Sequence, residues 1–291
     1  MKVLLVCSFQ PGGFGRLIYW TLKQMGVDAL AFDNKLNYFR YGRKMNRMLR
    51  RWVEAWTPDV LLVFKGVGVE PSVVEKMRCS RKILWFPDEP YRYAFYERLA
   101  AAFDEVYNFL FGCGVEMLAP AIYPPVHREI KLTGEEKWRF SCDCVFVGTG
   151  HPRRRKQIRE LMRGLNVKMK IWGNDWPVEF KAGPPQYYLN LSKAISGAKV
   201  VFNTHYAEHT PNQRCFEATA CRRLLISDSS EGLEKCFQPG REFIPYSSIR
   251  EARELIEFYV ENAKERNRIA EAGWKRCLRD HTLEKRLREI L

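Results

Sequence analysis

No apolar run in this sequence approaches the ~20 residues that a membrane-spanning helix needs. Met1-Lys2 leads straight into a strand-like pattern with no signal-peptide cleavage site, so a cytoplasmic protein is expected. Cysteine does not build a framework either. The nine thiols are scattered, no C-x-x-C occurs, and no second cluster completes a zinc set. The closest pair, Cys142 and Cys144, sits in an alternating strand pattern that points both side chains the same way, so buried free thiols are expected and no metal site. No recognisable RNA- or DNA-binding module is present, and the cations do not interleave with aromatics in an RNP-like pattern. Nucleic acid is therefore disfavoured as a partner.

What is present supports real cores. Hydrophobic residues make up 46% and aromatics 13% of 291 residues, enough for two domains of ordinary size. A net charge of +14 calls for a partner of opposite sign, whether an anionic membrane surface, nucleic acid or a phosphorylated substrate.

The first half alternates strands and helices as one doubly wound α/β domain. Val3–Val6 reads as a central strand, followed by QPGGFGR at 10–16. Gly12, Gly13 and Gly15 let the backbone approach a ligand closely, although G-G-F-G lacks the spacing of the dinucleotide fingerprint. Beyond a strand at 27–32, Arg40, Arg43, Lys44, Arg47, Arg50 and Arg51 gather on one side of a helix whose other side repeats Met45, Met48, Leu49, Trp52 and Val53. Such a basic amphipathic helix suits an acidic acceptor or anionic lipid headgroups. Strands follow at 60–64, 82–86 and 105–109, and Pro87-Asp88-Glu89-Pro90 fixes two carboxylates at a strand end, where ligands of open α/β sheets lie.

Pro120, Pro124 and Pro125 interrupt the pattern, and 126–139 reads as a polar linker between a domain at 1–125 and one at 140–275. Residues 276–291 continue as a C-terminal helix that could pack back on the first domain. The second domain opens with CDCVFVGTG, whose turn includes Gly148, and then Arg153, Arg154, Arg155 and Lys156 start a helix. Cations oppose the dipole at a helix N-terminus, which points to an anion nearby. Gly173 closes the next strand.

The stretch 203–228 organises the rest. After the apolar run Val200–Phe202, Thr210 reads as an N-cap, Pro211 as the first helical residue and Gln213 as the partner of a capping box. The helix tip, with Asn212 beside it, makes an anion site, and a diphosphate fits it with Arg214 as charge partner and Glu217 as a two-acceptor clamp for sugar hydroxyls. The plainer alternative is that Arg214 and Glu217 pair with each other.

The block 212–228, the following EGLEKCFQPGREFIPY and the ERNRIAEAGWKRCLRDHTLEKRL tail resemble the C-terminal domain of CgeB-like (spore maturation protein) glycosyltransferases. VFVGTGHPRRR followed by IWGNDW resembles the opening of that domain, and WFPDEP carries a looser likeness in the first half. The resemblance implies a GT-B fold, two Rossmann-like domains facing across a cleft, with a nucleotide-sugar donor of UDP type held mainly by the second. It also implies that Glu217 matches the ribose-binding glutamate of an E-x7-E pattern, with His209 in place of the first glutamate and Arg222 in place of a small residue, commonly glycine.

The expected activity is metal-independent, cofactor-free transfer of a sugar from a nucleotide-diphosphate donor to a protein, lipid or polysaccharide acceptor. Arg153, Arg155 and Arg214 would neutralise the leaving diphosphate, and Asp88 would be the acceptor base of an inverting reaction, with His209 contacting sugar. Two other readings remain open: a nucleic-acid- or membrane-docking module on an inactive GT-B scaffold, with Arg43, Lys44, Arg47 and Arg51 as its face, and a nucleotide-sugar epimerase. Peripheral attachment to the inner membrane face goes with the basic helix.

Overall fold

The computed structural model describes residues 1–205 and 210–291. The chain divides into two compact units, Met1–Ala119 with Leu283–Leu291, and Pro120–Thr282. In the first, six strands lie parallel: β1 (Lys2–Cys7), β2 (Asp28–Asp33), β3 (Val60–Phe64), β4 (Arg81–Phe86), β5 (Glu105–Asn108) and β6 (Glu116–Met117). Their order is β2-β1-β3-β4-β5-β6. Helices α1 (Phe14–Gln24), α2 (Asn34–Tyr41), α3 (Lys44–Trp56), α4 (Pro71–Val74) and α5 (Tyr96–Ala100) connect them.

The second unit repeats the plan with β7 (Cys142–Val147), β8 (Met169–Trp172), β9 (Ala198–Asn203), β10 (Leu224–Asp228) and β11 (Ile244–Tyr246), ordered β11-β10-β9-β7-β8. Its helices are α6 (Gly134–Phe140), α7 (Pro152–Met162), α8 (Leu189–Ser196), α9 (Gln213–Ala220), α10 (Glu231–Cys236), α11 (Ile249–Glu261) and α12 (Ala263–Asp280). The last helix, α13 (Leu283–Ile290), belongs to the first unit.

Both sheets obey one topology. Counted within its own unit, each begins in the order 2-1-3-4-5, so the winding direction reverses between the first and third strands. Ligands of such sheets bind beyond the carboxyl ends of the strands at that reversal. The reversal falls between β1 and β3 in one unit and between β7 and β9 in the other.

Runs of apolar residues bury both faces of the central strands, as parallel sheets require. Leu4, Val6, Leu61, Val63, Leu84 and Phe86 pack against Met45, Leu49 and Val53 on the inner stripe of α3. In the second unit Phe146, Val200, Phe202, Leu224 and Ile226 pack against Ala252 and Ile256 of α11.

Several elements differ from the sequence reading. The basic helix is two helices, because Gly42 adopts φ 55 after α2 and Asp33 caps the start of α2 by accepting from the Leu36 N–H. Residues 126–139 are no linker. They lie inside the second unit, where a Thr133–Glu136 capping box starts α6. The C-terminal helix breaks between Asp280 and Leu283, and Arg286 of α13 donates to the Ala119 carbonyl at 3.2 Å. Arg81 grips Glu105 with two bonds of 2.7 and 2.8 Å and also donates to the Ile290 carbonyl at 2.9 Å.

The nine cysteines are free, seven of them buried. Among the described residues no helix is long and apolar enough to cross a membrane.

Candidate functional site

At the reversal point of the second sheet the loops after β7 and β8 lock together through glycine. The Gly148 N–H donates to the Trp172 carbonyl at 2.9 Å, and Gly173 has φ 153. A Cβ on Gly173 would stand 2.0 Å from the Gly148 oxygen, and one on Gly150 2.6 Å from the Asp175 oxygen. Gly148 and Gly173 thus serve close backbone packing between two loops, a role short of the donor contact expected of them.

The cations of α7 are also engaged by the protein. Arg155 donates from Nε to the Asp175 carbonyl at 3.0 Å and to that of Gly150, clamping the same two loops. Arg154 reaches the Thr204 carbonyl at 3.1 Å and lies 5.7 Å over the Phe146 ring, while Arg153 is exposed. Of the α7 arginines expected to meet phosphate, Arg155 shares its Nε–H between two backbone carbonyls. Arg154 and Arg155 thus satisfy loop oxygens at an N-terminus whose dipole they oppose.

Beyond β9 lies a buried polar cluster. The Asn203 amide donates to Ser227 Oγ at 2.9 Å, and Asn212 donates to Asn203 Oδ1 at 3.1 Å. Thr204 Oγ1 donates to Gln157 Oε1 at 2.9 Å. His205 faces Asp228: its backbone N–H meets both carboxylate oxygens at 3.0 Å, and Nδ1 lies 2.7 Å from Oδ1. On its other side Nε2 is 3.7 Å from Cys215 Sγ. Burial alone would lower the His205 pKa, but the Cys215 contact and the hydrogen bond to Asp228 outweigh it and raise it to about 10. Asp228 is held below the usual carboxylate range: burial opposes that shift, and His205 overcomes it.

This pair couples stability to pH. Between the ordinary histidine value of 6.5 and about 10, folded His205 holds a proton that the unfolded chain has released. The stabilisation is complete below 6.5 and is lost as pH rises through about 10. Melting midpoints measured across that range are expected to fall with rising pH, and Asp228→Asn should flatten the dependence. An equally steep fall in Asp228→Asn would remove His205 as its cause.

The helix after this loop begins later than the sequence suggested. Asn212 is the N-cap of α9, in extended conformation, and makes no side-chain cap bond. Thr210 neither caps the helix nor forms a box with Gln213, because it sits two residues before the cap. Its hydroxyl is buried without a hydrogen-bond partner among the described residues, and so is Gln213 Oε1. Gln213 Nε2 meanwhile donates to the Ala121 carbonyl at 2.8 Å. Orphaned polar atoms are costly in a core, and two of them stand at this one helix head.

Arg214 and Glu217 do pair with each other, through Nη1 and Oε2, but the pair is turned inward. Arg214 Nε donates to the Val147 carbonyl at 3.1 Å, tying α9 to the end of β7. Glu217 is 6% exposed, and its other oxygen lies 3.6 Å from His127 Nε2. The Tyr123 N–H donates to His127 Nδ1 at 3.1 Å, so the neutral ring carries its proton on Nε2, facing Glu217. Burial first, and then Arg214, push the His127 pKa down to about 3, which keeps the ring neutral. Burial raises the Glu217 pKa against the opposing charge of Arg214.

At the end of α9 Arg222 adopts φ 55, a left-handed conformation that favours glycine, and its side chain compensates by pairing with Glu271 and lying 5.2 Å over the Trp274 ring.

In the first unit the reversal point holds different chemistry. Gly12 turns at φ 76 and Gly13 is the N-cap of α1. A Cβ on Gly15 would stand 2.4 Å from Cys7 Sγ, so Gly15 lets α1 lie against the end of β1. Asp88 is ion-paired with Lys65 at 2.6 Å, both partly exposed. Lys65 also lies 5.1 Å over the Tyr93 ring. Arg43, Lys44, Arg47 and Arg51 are all exposed, and Arg43 approaches Glu70 at 3.7 Å. His209 lies outside the described residues.

His127, His205, Asp228 and Gln157 belong to the site and escaped the sequence reading. A strand-terminal Asn-Thr-His followed by an aspartate at the end of the next strand is a signal that could have found His205 and Asp228. Nothing local marks His127.

Residues 153–291 match the family described as glycosyl transferase-like. The spore protein CgeB of Bacillus subtilis (strain 168) is 20% identical, with 98% of this chain and 96% of that protein covered. HepE of Anabaena, solved in complex with UDP-glucose, superposes with a TM-score of 0.70 at 10% identity, covering 100% of this chain and 98% of that one. The sucrose-phosphate synthase of Thermosynechococcus elongatus gives 0.75 at 11% identity, over 99% and 97%. The fold is GT-B, and the CgeB-like resemblance seen in the sequence holds. The C-terminal region matches the glycosyl transferase-like family, and the chain as a whole shares its fold with these structures.

Proposed function

We propose that this protein transfers a sugar from a nucleoside-diphosphate donor, with the diphosphate held at the head of α9. The observation that carries the reading is the pair of orphaned atoms there, Thr210 Oγ1 and Gln213 Oε1, beside backbone N–H groups that no carbonyl within the helix can reach. HepE was solved with UDP and with UDP-glucose, which supports a donor of UDP type. Glu217 then orients the donor ribose, its position fixed by Arg214 and His127.

As the bond from the sugar's anomeric carbon to the diphosphate oxygen breaks, the electron pair leaves with the diphosphate. Arg214, Arg153 and the α9 dipole would offset that charge, so transfer without a divalent metal belongs to the same proposal. The acceptor's hydroxyl oxygen forms the new bond to the anomeric carbon, and its proton passes to the Asp88 carboxylate. Asp88, held by Lys65 just beyond the end of β4, also orients the acceptor. Nine free thiols fit a reducing, cytoplasmic setting.

Thermal shift against UDP, GDP, dTDP and CDP tests this. UDP at saturation is expected to raise the melting midpoint by roughly 5 °C, in EDTA as in its absence. Thr210→Val should keep or raise the stability of the free protein, since it removes an orphaned hydroxyl, yet weaken UDP about tenfold. Unaltered UDP affinity in Thr210→Val would place the diphosphate elsewhere.

A further inference from the structure

Helix α2 is amphipathic in the wrong direction for a packed helix. Asn34 is its single buried residue, held by a 2.7 Å bond from Nδ2 to the Val67 carbonyl, and Asn37 donates to the Asp33 carbonyl at 2.8 Å. Polar anchors thus face the protein. On the opposite side, three residues apart on one face, Leu36 is 43% and Phe39 88% exposed, with the exposed Lys35 and Arg40 flanking them. Tyr38 and Tyr41 share the side of Asn34, and a Cβ on Gly68 would stand 2.6 Å from the Tyr38 ring. A single exposed aromatic is ordinary, but a leucine and a phenylalanine turned outward side by side form a patch that calls for a partner.

The same segment is purely cationic. Between Asp33 and Glu54 stand Lys35, Arg40, Arg43, Lys44, Arg47, Arg50 and Arg51, with no carboxylate among them. On α3 the stripe Lys44, Arg47, Arg51 recurs at helical spacing on the face opposite Met45, Leu49 and Val53, so the inner face is packed and the charges are outward. Glu54 pairs with Arg50 at 2.7 Å, which leaves that stripe with no carboxylate partner among the described residues.

We propose that the α2–α3 face docks on the surface of an anionic bilayer, with Phe39 and Leu36 entering the headgroup–acyl boundary and Lys44, Arg47 and Arg51 meeting lipid phosphates. The mixture selects this occupant. Arginines and tyrosines alone would suit a nucleic acid, but an outward leucine beside a fully presented phenylalanine gains free energy only where there is hydrocarbon to enter. The charge is of the sign that anionic headgroups attract, and aromatic rings sit well at the interface. The α2–α3 face belongs to the first unit and the head of α9 to the second, and the inference uses none of the residues of the donor reading.

Co-sedimentation of the full chain with vesicles of phosphatidylcholine and phosphatidylglycerol, against phosphatidylcholine alone, tests it. Binding is expected to the mixed vesicles, weakened by salt. Phe39→Ser should reduce partitioning about tenfold. The triple variant Lys44→Glu, Arg47→Glu, Arg51→Glu should reduce it by about 100-fold. All four positions are exposed, and an unchanged melting midpoint confirms that the variants fold. Failure to pellet with mixed vesicles, undiminished pelleting of either variant, or displacement from vesicles by single-stranded RNA would each overturn the proposal.

Discussion

Replacing Arg214 with methionine is expected to cost about 3–5 kcal/mol of unfolding free energy, measured by urea titration, because it strands Glu217 in a site without solvent. Among the described residues the carboxylate has no other cation: its second oxygen faces His127, which burial keeps neutral. Two further variants separate charge from packing. Glu217→Gln keeps the shape, removes the buried anion, and should recover much of the loss when combined with Arg214→Met. The double variant Arg214→Met, Glu217→Met should lie near the wild type, since an ion pair replaced by apolar groups of like volume is often neutral. All of these should lose UDP stabilisation. A single Arg214→Met costing under about 1 kcal/mol would mean that the pair behaves as a surface ion pair, and the inward geometry would be wrong.

Gly173→Ala is the second substitution with a large expected effect. Its Cβ would stand 2.0 Å from the Gly148 oxygen, a backbone atom that cannot rotate away, at a φ of 153. The loops after β7 and β8 would have to separate, breaking the bond from the Gly173 N–H to the Gly183 carbonyl, 3.0 Å long. A loss of about 3 kcal/mol or more is expected. Gly240 provides the control: it has φ 73 with nothing within 4 Å of an added Cβ, so Gly240→Ala should cost only about 1 kcal/mol. Equal losses at the two positions would show that backbone conformation, not crowding, governs Gly173. Because Arg155 clamps the same loops, Gly173→Ala should also disturb the start of α7 beside the donor site.

Much of the fold could be read from local pattern. Apolar runs such as Val3–Val6 and Val200–Phe202 became central strands, and the spacing of Met45, Leu49 and Val53 gave the inner face of α3. Errors gathered where two local signals compete. Thr210 has cap chemistry, yet Asn212 two residues later takes the position, because Asn203 at the end of β9 holds its amide and fixes where the chain turns into the helix. Gly42 ended a helix that the charge pattern alone would have continued.

The amino-acid sequence by itself determined the succession of strands and helices, the two α/β units and the nearness of Arg214 to Glu217, because alternation, helical spacing and caps act across a few residues. Only the tertiary structure decided where the site lies, since the reversal between β7 and β9 is a property of strand order. It also decided which cations answer to carbonyl oxygens and that His127 meets Glu217. The outward turn of Leu36 and Phe39 on α2 likewise depends on what α2 packs against. Burial and pairing join residues distant along the chain, and no short window of sequence contains both partners.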